Sequence, residues 1–93
     1  MTIGLLTVQL FISNSGSLKQ KRMVLKSLKD RLRKNFNVSV AELDAHDKWQ
    51  RAVLGVVSIG PEGRHVNGVL DQVVNFIRRN GNVDISDYEI YWL

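Results

Sequence analysis

Residues 2–13 read TIGLLTVQLFIS. Successive strand residues point to opposite faces, so Leu6, Val8, Leu10 and Ile12 share one face while Leu5 and Phe11 lie on the other. Apolar residues on both faces mark a strand from the middle of a sheet, covered on each side. A second stretch reads the same way. Trp49 to Ile59, WQRAVLGVVSI, is nearly all apolar from Ala52 to Val57 and predicts another central strand.

Between and beyond these two stretches the pattern changes. After the loop Asn14-Ser15-Gly16, Ser17 is placed to cap a helix, with Gln20 three residues on as the second half of a capping box. Leu18, Leu25, Leu28 and Leu32, with Val24 beside them, then recur at helical spacing until about Asn35. Phe36 to Asp44 alternates more weakly and ends in acids, as an exposed edge strand does. Gly60-Pro61-Glu62 predicts a second helix that starts at proline with an acid in its first turn. Its core stripe is Val66, Val69, Leu70, Val73, Val74 and Ile77, and it ends at Asn80-Gly81. Val83 to Leu93 completes the chain as a strand. The order βαββαβ, with right-handed crossovers, predicts one α+β domain over residues 1–93 with a ferredoxin-like fold. Its antiparallel sheet would run in the order 4-1-3-2, with two helices on one face.

Composition narrows the chemistry. Ninety-three residues suffice for one core, and the absence of cysteine rules out disulfides, thiolate metal sites and cysteine nucleophiles. The longest apolar run, Gly4 to Ile12, is broken by Thr7 and Gln9 and falls short of the roughly 20 residues a bilayer-spanning helix needs. It also lacks the flanks of a secretory signal, so a cytoplasmic protein without a membrane segment is expected.

Charge is unevenly spread. Residues 1–41 carry eight bases and one acid, a net +7, whereas residues 42–93 carry five bases and eight acids, a net −3. All eight bases of the first part lie between Lys19 and Lys34, on the first helix. Arg22, Lys26, Lys29 and Arg33 form one stripe beside the apolar face, with Lys19 above them. Lys21 projects nearer the apolar side, where its stem would snorkel over the core edge. Cations fixed on a rigid helix suit contact with successive phosphates, although the same residues also keep a solvated helix soluble.

Other sites compete less well. Single-stranded RNA is commonly stacked on aromatics of the central strands, but here only Phe11 and Trp49 are candidates. Glu42, Asp44, His46 and Asp47 offer oxygen and imidazole ligands, yet their spacing is loose and a solvated turn explains them, so no metal and no cofactor are expected. Acylphosphatases share the βαββαβ topology but hold the phosphoryl group with an arginine after the first strand. The loop Ser13-Asn14-Ser15-Gly16 has none, and neither His46 nor His65 stands in a recognisable catalytic set, so no enzyme is expected. A homodimer formed through the uncovered sheet face or an edge strand is expected from the apolar residues left there, Trp49 and Tyr88, Ile90, Tyr91, Trp92 and Leu93 among them.

Three segments together resemble the YlxP-like family of small bacterial proteins. They are Ser17-Leu18-Lys19 with Lys21-Arg22, Phe36-Asn37-Val38-Ser39-Val40-Ala41-Glu42, and Trp49-Gln50-Arg51-Ala52. The resemblance covers essentially the whole chain. It implies a ferredoxin-like fold and a frequent genomic association with translation and ribosome-maturation genes, and it brings no catalytic residues. The functional expectation is a ribosome-associated RNA-binding protein contacting phosphates through Lys19, Arg22, Lys26, Lys29 and Arg33. The alternative is a small homodimeric interaction module of the translation machinery that touches no RNA.

Overall fold

The two stretches that are apolar on both sides become the paired centre of the sheet. The computed structural model describes residues 1–93 as β1 (Thr2–Phe11), α1 (Leu18–Asn35), β2 (Ser39–Asp44), β3 (Arg51–Gly60), α2 (Gly63–Arg78) and β4 (Asp84–Trp92). The sheet is antiparallel in the order β2-β3-β1-β4, which is the expected 4-1-3-2 read from the other edge. The fold is therefore the ferredoxin-like α+β sandwich.

Each central strand has a buried and a half-open side. Leu6, Val8 and Leu10 of β1 and Ala52, Leu54 and Val56 of β3 are buried beneath the helices. Leu25, Leu28 and Leu32 of α1 meet them, as do Val66, Leu70, Val73, Val74 and Ile77 of α2, forming a single core of seventeen side chains. The opposite face of the sheet carries no helix. Phe36, beyond the end of α1, meets Phe76 of α2 edge to face at 5.7 Å, and the Arg31 guanidinium lies 5.9 Å from the Phe76 ring.

Gly4 shows how closely α2 approaches β1. A Cβ there would stand 2.9 Å from Leu70 Cδ1, 3.0 Å from Val66 Cγ1 and 3.1 Å from Trp92 Cζ3. Val66 and Leu70 are fully buried and have nowhere to retreat. Gly4→Val is expected to destabilise the domain by about 2 kcal/mol through overpacking, read as a lower urea midpoint.

Several boundaries differ from the sequence expectation, each for a local reason. β1 stops at Phe11, and the Ile12 N–H then donates to the Gln50 carbonyl outside the ladder. β2 begins at Ser39 because Phe36 is spent as the C-cap of α1, its N–H donating to Leu32 O. β3 begins at Arg51, leaving Trp49 in the preceding turn. Glu62 is the N-cap of α2, so Pro61 precedes the helix and no acid occupies its first turn. The N-terminus of α1 is a variant capping box. Gln20 N–H donates to Ser17 Oγ, as expected, but the Gln20 side chain accepts from Gly16 N–H.

Candidate nucleic-acid interface

The basic stripe is set by the 3.6-residue turn of α1, whose leucines face the core and so turn the cations sideways and outward. Arg22, Lys26, Lys29 and Arg33 come together along a shallow groove of about 420 Å³ between α1 and β2, with Asp30 and Glu42 also in its walls. From Arg22 to Arg33 the stripe runs about 16 Å along the helix axis. Lys19 lies outside the groove, exposed in the first turn.

The four groove cations are not equivalent. Lys26 Nζ is 2.9 Å from Asp30 Oδ2, the i,i+4 partner, and Arg33 Nη1 is 3.6 Å from Asp30 Oδ1. The Lys26 hydrogen bond holds the Asp30 carboxyl below its ordinary range, with the charges of Lys26, Arg33 and Lys29 acting in the same direction. Arg33 also donates from Nη2 to the Val40 carbonyl at 2.8 Å, which fixes its guanidinium against β2. Arg22 and Lys29 make no ion pair or side-chain hydrogen bond and are the cations most available to a ligand.

Beneath the groove lies the feature that sequence reasoning missed. Lys21 does not snorkel to solvent: its side chain is 1% exposed, and its ammonium stands 3.1 Å from Glu42 Oε2 and donates to the Ala45 carbonyl. The Lys21–Glu42 contact lies off the hydrogen-bonding direction, so Glu42 Oε2 is held by charge alone. Ala45 has φ 64°, a left-handed turn conformation that alanine adopts at a cost, and the lysine secures it. Charge balance follows: Lys21 offsets Glu42 from below, leaving Asp30 alone against the four groove cations. The spacing held a signal, because Leu18, Lys21, Leu25, Leu28 and Leu32 form one 3-4-3-4 series with lysine in an apolar slot.

The residues considered for a metal do not converge. A register shift between Glu42 and Asp44 breaks the alternation that would have aligned them. Glu42 faces Lys21, Asp44 Oδ1 accepts from Ala45 N–H, and His46 Nε2 is 4.0 Å from Glu42 Oε1. Phe11 sits half-buried on the open sheet face and Trp49 is exposed in the turn before β3, so the central strands carry no paired aromatic platform.

Residues 3–90 match the family model described as Protein of unknown function (DUF503). The chain belongs to this family. It is 36% identical over 75 residues to a protein of Bacillus subtilis (strain 168) named Uncharacterized protein YlxP, a match covering 81% of this chain and 82% of that one. The family resemblance carried by the α1, β2 and β3 segments thus holds over most of the length. No helix is long and apolar enough to cross a membrane.

Proposed function

We propose that this protein is a non-enzymatic, cytoplasmic binder of structured RNA, with ribosomal RNA the first candidate, and that the α1 groove is its contact surface. The observation that carries the reading is the grouping of Arg22, Lys26, Lys29 and Arg33 along one groove of a rigid helix, with Glu42 offset by the buried Lys21. Preordered cations contact phosphates without first ordering a flexible tail. The resemblance to a family associated with translation genes points toward the ribosome. Lacking an aromatic platform, the protein would read backbone shape rather than splayed bases.

The test is association with purified ribosomal subunits and with RNA stems at two salt concentrations. Four phosphate contacts predict a loss of roughly a hundredfold in affinity between about 50 and 200 mM salt. A stem is expected to bind more tightly than a single strand of equal length, measured by fluorescence anisotropy. Absence of binding at the lower salt rejects the reading. The apolar open sheet face would then favour the second reading, a homodimeric module that contacts a protein of the translation machinery and no RNA.

A further inference from the structure

The face of the sheet opposite the helices is the largest surface the fold leaves uncovered. The strand register places Ile3 beside Ile59, Leu5 between Val57 and Tyr91, and Thr7 between Gly55 and Glu89. Leu43 folds over Gly55, reaching within 2.7 Å of where a Cβ there would stand, and Ile59 remains 52% exposed. Ala41, Leu43, Leu5 and Val57 surround an apolar depression of about 160 Å³.

We propose that a second copy of this chain covers this face, forming a two-fold sheet-on-sheet dimer. Strands of 10, 6, 10 and 9 residues, at about 3.3 Å per residue and about 4.8 Å apart, give roughly 550 Å² of face per copy. A pair would therefore bury roughly 1,100 Å², just above the ~1,000 Å² that a specific interface must clear.

Charge selects the geometry. Asp84, Asp87 and Glu89 lie on the open face along β4, opposite Phe11, Gln9 and Thr7 of β1. At the other margin, Ser39, Ala41 and Leu43 of β2 carry no charge, Asp44, which pairs with Val53 beyond the bulge, is the one acid, and Arg51 of β3 adds a base beside Phe11. A two-fold axis across the strands would set β4 upon β4 and bring acids together. An axis along the strands sets β4 of each copy over β2 of the other and Leu5 over Val57, so that Glu89 meets Ala41 and only Asp87 meets an acid, Asp44, within the aligned class of sheet packing. The edges are poorer docking sites. Paired β4 edges, centred on Tyr88, would place Asp87 against Glu89, and like charges directly opposite are unfavourable. The β2 edge is short and bulged, and one of its carbonyls, Val40 O, is taken by Arg33.

The dimer leaves both α1 grooves facing outward, so this surface and the RNA surface fail independently. The experiment is sedimentation equilibrium of the full chain over roughly 1–100 µM, a range bracketing a micromolar Kd. The expected mass is twice the 10.6 kDa of one chain. Ile59→Asp and, separately, Ala41→Glu, which sets a new acid over Glu89, are expected to return the mass to one chain. Ala41→Arg and Arg22→Glu/Lys29→Glu are expected to remain dimeric. Ile59 and Ala41 are exposed, and circular dichroism verifies that each variant is folded. A wild-type mass of one chain throughout the range, or a dimer indifferent to both acid substitutions, overturns the proposal. Dissociation by Ala41→Arg overturns the strand-aligned geometry.

Discussion

Lys21→Met is expected to lower stability by about 3 kcal/mol, because it leaves the partly buried Glu42 carboxylate without its counter-charge and the Ala45 carbonyl without its donor. Methionine keeps most of the stem's packing, so the loss reports the ammonium rather than a cavity. In a domain of this size that corresponds to a melting temperature lower by roughly 12–24 °C. The partner substitution separates charge from packing. Glu42→Gln combined with Lys21→Met is expected to recover much of the loss, since no unpaired charge then remains. A Lys21→Met protein that melts within a degree of wild type would show that the pair contributes nothing. The same single change should also weaken RNA binding, because it leaves the Glu42 charge in the groove wall without its offset.

Reversing the two unpaired cations, Arg22→Glu with Lys29→Glu, is expected to lower RNA affinity at least a hundredfold at about 50 mM salt, where phosphate contacts contribute most. Two of four contacts are lost and two repulsions are added. The dependence of log affinity on log salt should flatten by about two, one for each phosphate contact removed. These positions are preferable to Lys26, where glutamate would face Asp30 one turn away and destabilise the helix by a few tenths of a kcal/mol. Neither Arg22 nor Lys29 makes an ion pair or a side-chain hydrogen bond, so stability is expected to change by no more than about 0.5 kcal/mol. Unchanged affinity and salt slope in this double variant would remove the groove from the binding surface, whatever else the protein binds.

Features set within one helix or strand are legible in the sequence. The leucine stripe of α1, the apolar doublet of central strands, the Ser17 cap and the lateral placement of Arg22, Lys26, Lys29 and Arg33 all follow from the position of a residue within its own helix or strand. Side-chain direction repeats every two residues in a strand and every 3.6 in a helix, so these features are written locally. Pairing is not. Lys26 and Arg33 differ from Arg22 and Lys29 because of where Asp30 and the Val40 carbonyl lie. Only Asp30 is near enough in the chain for its effect to be read from sequence.

Sequence alone determined the element order, the central position of β1 and β3, and a cationic flank on α1, because periodicity and chain connectivity suffice for each. Tertiary structure alone decided that Lys21 is buried on Glu42 and Ala45, 21 and 24 positions along the chain. It also decided that the bulge in β2 separates Glu42 from Asp44, and that β4 sets an acidic margin beside an apolar sheet face. Each depends on the approach of segments distant in sequence. Whether a charge there is exposed, offset or left to meet a partner is fixed by that approach and not by the residues beside it.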